Sequence, residues 1–298
     1  MSNTSIDLQG ICAELIDVAK EAGNIILEAR PTSHSTSTKK NTADIVTETD
    51  QAVETFIRNR LGKLHPTFAF IGEETHHDAT AMIISDEPTF IVDPIDGTSN
   101  FVHGFLTVCV FIGLVVQKQP TVGVVYNPSL RELWFAVKGH GAFTQYNDGE
   151  RQRLPLTKSS LRGLGPACIG IEWGSDREGP NFELNLKVFT QVARTAASGG
   201  QFVNSLRCTG SAAIAICRTA AGQQDAFWEC GCWAWDVAAA WCILSEAGGL
   251  MVDGHPGKWE PPVNNRIYLA VRRATEGQHE FVDAFWSVIG DGRSTYGP

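Results

Sequence analysis

The chain has 298 residues, a net charge of −9 and 43 % hydrophobic residues, enough for a large core and for two α/β layers or domains. No basic stripe stands out, which weighs against a nucleic-acid partner. The longest strongly apolar run, Val108–Val116, is far too short to span a bilayer, and the N-terminus lacks the cationic and apolar regions of a secretion signal, so no membrane partner and a cytoplasmic location are expected.

Apolar residues at 8, 11, 15, 18, 22 and 25 step by three and four, which predicts an amphipathic helix over 6–29, stopped by Pro31. The polar segment 31–43 reads as a mobile loop. Val53, Phe56, Ile57, Leu61 and Leu64 mark a second helix, with Thr49 as its N-cap and Asp50 in its first turn. Two strands, "TFAFIGEE" (67–74) and "TFIVDPIDG" (89–97), run into acids. Strands near 106–117, 121–126 and 132–137, with "KQP" and "NPS" as turns, predict an antiparallel meander. "YNDGE" (146–150) is a turn and a candidate boundary between an N-terminal half, 1–150, and a C-terminal half, 151–298. Beyond it strands and helices alternate: a strand near 166–172, a helix near 181–197, "DAFWEC" before the helix "WDVAAAWCILSEAGG", strands near 249–253 and 266–271, and a helix near 278–289. That rhythm predicts an α/β half. The eight cysteines stand in apolar contexts, and the C-x-C of Cys230 and Cys232 has no second pair, so reduced core cysteines are expected rather than zinc.

Acids gather where elements meet loops, in "ADIVTETD" (43–50), "IGEET" (71–75), "DPIDGT" (93–98) and "WAWDVAAAW" (233–241). Asp236, flanked by Trp235 and Val237, reads in isolation as an N-cap, yet it sits close to a core where an unpaired carboxylate is costly. If Glu73, Asp93, Asp96 and Asp236 share one cleft, two charges about 4 Å apart repel by about 4 kcal/mol at an effective dielectric near 20. Divalent cations relieve that repulsion, and an all-oxygen ligand set suits Mg²⁺, Mn²⁺ or Ca²⁺ better than Zn²⁺. Gly97 permits a tight turn, and the N–H groups at the start of a short helix (Thr98, Ser99, Asn100) offer an anion site. Cations beside such a nest describe a phosphate site. His76 and His77 read as loop residues, and His103 as packing below the motif helix rather than binding metal.

"DIVTETD", "FIGEET", "DPIDGTSNFVHGF", "LRCTGSAA" and "WECGCWAWDVAAAWCILSEAGG", in order over roughly 6–290, resemble the inositol monophosphatase family of Mg²⁺-dependent, lithium-sensitive phosphatases, and the 170–185 stretch is most similar to fungal members. The resemblance implies a layered α-β-α-β-α sandwich of class α/β (α+β), with an antiparallel N-terminal half and an α/β C-terminal half. It implies Glu73, Asp93, the Ile95 carbonyl, Asp96 and Asp236 as ligands of two to three Mg²⁺ ions, with Mn²⁺ as a substitute and Li⁺ as an inhibitor. It implies Asp50 and Thr98 as the pair that orients the attacking water, with Glu74 and Thr47 in support. Gly97 and Thr98 would hold phosphate; Lys39, Ser175, Gly210, Ser211, Ala212, Glu229 and Asp236 complete the implied substrate site. The implied partners are a small phosphate ester, inositol 1-phosphate first, and a second copy of the chain, with "CGCWAW" (230–235) as a candidate dimer contact. A bisphosphate nucleotidase or histidinol-phosphatase shares the metal core, and a non-catalytic regulatory protein shares the fold.

Overall fold

The computed structural model describes residues 6–29, 36–38, 45–76 and 82–296. In chain order it runs through α1 (Leu8–Glu28), the paired strands β1 (Thr36–Thr38) and β2 (Ile45–Thr47), and α2 (Glu48–Leu64). β3 (Ala69–Gly72), β4 (Thr89–Asp96) and the short α3 (Thr98–His103) follow. Then come β5 (Cys109–Val116), β6 (Gln119–Asn127), β7 (Glu132–Val137), β8 (Gly141–Tyr146) and β9 (Gln152–Arg153). The rest is β10 (Cys168–Ile171), α4 (Gly179–Ala193), β11 (Ser205–Arg207), α5 (Ala212–Ala221), β12 (Ala226–Cys230), α6 (Ala234–Glu246), β13 (Leu250–Asp253), β14 (Ile267–Val271) and α7 (Gln278–Ile289).

Two sheets organise these elements. The larger has the order β3-β4-β5-β6-β7-β8-β9 and is antiparallel except for the parallel pair β3–β4. The smaller has the order β11-β10-β12-β14-β13, parallel over its first three strands and antiparallel at β14. Helices α1 and α2 cover one face of the large sheet, burying Leu15 and Ile57 against Phe90 and Val110. Helices α5 and α6 lie between the sheets in a core that includes Phe111, Trp134, Ile243 and Tyr268. Helices α4 and α7 close the far face of the small sheet over Trp228, Phe281 and Phe285. The layers are therefore α-β-α-β-α, the expected sandwich.

One close approach sets the position of α6. Gly113 and Gly123 pair across β5 and β6 directly beneath it. A Cβ on Gly123 would fall 2.1 Å from the Ala239 carbonyl oxygen, and one on Gly113 would fall 3.1 Å from the Ala239 nitrogen. Two glycines below and the alanines 238–240 above let helix and sheet backbones touch. The N-terminus of α6, with Asp236 in its first turn, is thereby brought to the end of β4.

Several expectations need correction. The N-cap of α2 is Thr47, not Thr49: Thr47 is extended, and its hydroxyl accepts from the Thr49 and Asp50 amides. Asp236 is not an N-cap but the third residue of α6, reaching back to the Trp233 amide at 2.6 Å. Strands β8 and β9 extend the meander beyond its expected end. Part of the expected loop, Thr36–Thr38, is a strand paired with β2, while Lys39 and His77 lie outside the described residues. All eight cysteines are unpaired, but Cys208 is exposed rather than in the core. In "CGCWAW", Trp235 is 4 % exposed, and Trp233 is half-buried with the Arg266 guanidinium over its ring, 3.3 Å from the centroid. His103 is exposed and turns a ring nitrogen to the Ser99 carbonyl at 2.8 Å instead of packing beneath α3. His76 is in the loop after β3, as expected, with its ring 5.5 Å from that of Trp235.

Candidate active site

β4 delivers two acids three positions apart, a spacing that in a regular strand would send them to opposite faces. The pairing of β4 with β5 is interrupted between Asp93 and Asp96, where Pro94 and Ile95 are accommodated. That irregularity resets the alternation, so both carboxylates turn to one side. Asp93 accepts from the Ile95 amide at 2.9 Å, and Asp96 Oδ2 accepts from the Ser211 hydroxyl and from the Ala213 amide at 3.1 Å. The Cys109 thiol lies 3.5 Å from the same oxygen. From α6, Asp236 joins them: ligand oxygens of Asp93, Asp96 and Asp236, one from each, all lie within 4.8 Å of one another.

Asp50 stands beside this group, 1 % exposed at the start of α2. Its Oδ2 accepts from the Thr47 amide at 2.9 Å and from the Thr47 hydroxyl, a reciprocal cap. Its Oδ1 accepts from the Thr98 hydroxyl at 3.1 Å, and that hydroxyl is also 3.1 Å from the Ile95 carbonyl. Gly97, at φ +93°, makes the turn into α3, and a Cβ there would come 2.8 Å from the Thr107 carbonyl.

The electrostatics are those of crowded, buried acids. Burial first, then the charges of Glu73, Asp96 and Asp236, hold the Asp93 carboxyl far above the usual range. Asp236 is raised well above it by burial and by Glu73 and Asp96. Asp96 is pushed up to about 6 by burial, against the lowering effect of Ser211, Cys109 and Ala213. Asp50 is raised by burial while its bonds to Thr47 pull the other way. The Glu73 charge contributes to each of these shifts, which places it around the same cleft. Carboxyls in such surroundings either hold protons or hold a cation, and three oxygen donors at this spacing fit a hard divalent ion such as Mg²⁺.

Of the remaining residues, Ser211 and Glu229 reach the group. Ser211 caps α5 and spends its hydroxyl on Asp96, with Ala212 buried behind it and Gly210 exposed before it. Glu229, on β12, is raised well above the usual range by burial, then by Glu172 and Asp236, and its Oε2 has no hydrogen-bond partner among the described residues. Ser175 is partly buried in the segment after β10. Two supporting residues, and the side-chain role of a third, escaped the sequence analysis. Glu54, on α2, accepts from the Glu74 amide at 2.7 Å and fills the space beneath Gly72. Its only sequence signal was an acid among the apolar residues of the helix. Glu172 and Asn100 hold the 208–210 turn; no local pattern marks Glu172, and Asn100 was read for its backbone N–H alone.

The model of the inositol monophosphatase family matches residues 7–289. Inositol monophosphatase 2 of Saccharomyces cerevisiae is 45 % identical over 83 % of this chain and 83 % of its own. The quinic acid degradation cluster protein x of Neurospora crassa is 35 % identical over 96 % of this chain and 95 % of its own. In three dimensions, the extragenic suppressor protein suhB of Bartonella henselae superposes with a TM-score of 0.74 over 95 % of this chain and all (100 %) of its own, at 27 % identity.

Proposed function

The chain belongs to the inositol monophosphatase family, and from that membership we propose how its acidic cleft hydrolyses a small phosphate monoester, with inositol 1-phosphate as the preferred one. The observation that carries the reading is the convergence of Asp93, Asp96 and Asp236 within 4.8 Å, beside the Asp50–Thr98 pair. Asp93, Asp96 and Asp236, with Glu73 and the Ile95 carbonyl, would hold two to three Mg²⁺ ions, Mn²⁺ substituting and Li⁺ competing. When bound, divalent cations there neutralise phosphate oxygens and acidify a water.

The chain's own residues supply the rest. Asp50 accepts the water's proton as the water adds to phosphorus and the ester P–O bond breaks, and the departing alkoxide leaves as the alcohol after taking a proton from solvent. Burial raises the proton affinity of Asp50, which favours its role as proton acceptor. Thr98 orients the same water through its hydroxyl, and Thr47 locks Asp50 in place. The backbone amides of Gly97 and Thr98 meet the phosphoryl oxygens at the start of α3. The alcohol portion lies toward Ser175, the 210–212 segment and Glu229. Glu74, anchored through its amide to Glu54, keeps Glu73 at the cleft edge. The intact set of acids supports catalysis over a purely regulatory role. Eight unpaired cysteines support a reducing compartment, the cytoplasm. Phe105 and Leu106, adjacent in the chain and 66 % and 55 % exposed, are apolar surface that a homodimer would cover.

Phosphate release tests the reading, with inositol 1-phosphate, 3′-phosphoadenosine 5′-phosphate and histidinol phosphate compared in Mg²⁺, in chelator, and in Mg²⁺ plus Li⁺. Metal-dependent, lithium-blocked release is expected, fastest from inositol 1-phosphate. Faster release from another ester would move the substrate, and none from any ester would overturn the assignment.

A further inference from the structure

A single carboxylate holds the turn that joins β11 to α5. Glu172 directly follows β10 and is 7 % exposed. Its Oε1 accepts from the Thr209 amide at 2.5 Å, the Gly210 amide at 2.9 Å and the Thr209 hydroxyl at 3.2 Å. Its Oε2 accepts from the Cys208 thiol at 3.1 Å. The carbonyls of the same turn are held from α3 and the loop behind it. Asn100 Nδ2 donates to the Thr209 carbonyl at 2.7 Å and lies 3.3 Å from that of Gly210, and the Thr107 hydroxyl donates to the Thr209 carbonyl at 3.2 Å. Gly210 has φ +69°, and a Cβ there would come 2.9 Å from Asn100 Nδ2, so the turn lies tight against α3. Ser211, the next residue, is already committed to Asp96.

We propose that Glu172 is a positioning residue for the leaving group: it fixes the 208–210 turn in its binding shape before the ester arrives. This rests on the reading that the segment from Gly210 to Ala212 faces the alcohol portion of the substrate. Backbone amides bind a carboxylate about twice as strongly as a neutral acceptor. Without it, the two amides and the Thr209 hydroxyl would have to find other acceptors, and the turn would lose its fixed shape. A turn that must be ordered by each substrate binds that substrate more weakly. The cation site is largely insulated, because Asp96 keeps its bonds to Ala213 and Cys109.

The test compares wild type with Glu172→Ala and Glu172→Gln, whose amide oxygen still accepts at the Oε1 position. The first readout is hydrogen–deuterium exchange of the 205–212 segment, which needs no activity. Glu172→Ala is expected to exchange about tenfold faster there, and Glu172→Gln to stay near wild type. The second readout is hydrolysis of inositol 1-phosphate. In Glu172→Ala, KM should rise about tenfold, equivalent to about 1.4 kcal/mol, while kcat and the half-saturating Mg²⁺ stay within about threefold. Glu172→Gln should recover most of the KM. Unchanged exchange in a folded Glu172→Ala protein, an unchanged KM, or equal damage in both variants would overturn the proposal. If Glu172→Ala does not fold, Glu172→Asp, which keeps the charge and shortens the reach, takes its place with the same expectations. If wild type releases no phosphate, the proposed function fails, and the exchange result alone decides for or against the positioning role.

Discussion

Ser211 divides one hydroxyl between two tasks. It accepts from the Ile214 amide at 3.2 Å, capping α5, and it donates to Asp96 Oδ2. Together with the Ala213 amide it decides which oxygen of Asp96 is tied down and which is left for a cation. Ser211→Ala is therefore expected to raise the half-saturating Mg²⁺ concentration about 10- to 100-fold and to cost about 1 kcal/mol of stability through the lost cap. Mg²⁺ titration of phosphate release and thermal unfolding measure the two effects, and an unchanged Mg²⁺ requirement would contradict this role. The principal acids were legible in the sequence because each stands in a short pattern of its own: two aspartates around Pro-Ile, two glutamates after Ile-Gly, one aspartate opening an alanine-rich helix. Their supports were not. Glu172 meets an amide 37 positions on and Glu54 one 20 positions on, and nothing beside either residue signals the partner. The bond of Ser211 to Asp96 was hidden for the same reason, since Asp96 is 115 positions away.

At the scale of elements, the site depends on how closely α6 approaches the large sheet. Only a glycine pair leaves room for the alanine face of that helix, and Gly123 has the least tolerance. Gly123→Ala must displace α6 or bend β6, and a destabilisation of about 3 kcal/mol is expected, with weaker Mg²⁺ dependence because Asp236 moves with the helix. Chemical denaturation beside an Mg²⁺ titration checks both, and a variant as stable and as metal-responsive as wild type would show that the contact does not position Asp236. Helix α1 was readable from its periodicity, and strands β4 to β7 from their short apolar runs, since those strands are buried on both faces. The first residue of α2 was placed two positions late because Thr47 and Thr49 are equally good caps by composition, and only backbone geometry separates them. Strand β9 is two residues long and carries no period to read. The parallel pairing of β3 with β4 was also hidden, because neither strand's composition states its direction.

The whole molecule brings buried acids together from β4, α2 and α6 and from the turn after β3, and their protons report what the fold lacks. Asp50, Asp93, Asp96 and Asp236 each have a folded-state proton affinity above the unfolded one, with Asp96 near 6 against an ordinary 3.8, and Asp93 and Asp236 well above the ordinary value. The folded chain thus binds more protons than the unfolded chain from about pH 4 upward, so metal-free stability falls as pH rises through 6 and beyond, by on the order of 1 kcal/mol per pH unit for each such carboxyl. A divalent cation replaces the missing protons, and its stabilising effect should grow over the same window. The direct measurement is the thermal unfolding midpoint at pH 5 and pH 8, in chelator and in Mg²⁺, for wild type and Asp93→Asn. Mg²⁺ is expected to raise the wild-type midpoint more at pH 8 than at pH 5. Asp93→Asn is expected to be at least as stable as wild type in chelator at pH 8, to gain little from Mg²⁺ and to release no phosphate. A wild-type midpoint indifferent to Mg²⁺ at pH 8, or an Asp93→Asn protein that gains as much as wild type, would contradict the cation site on which the proposed chemistry rests.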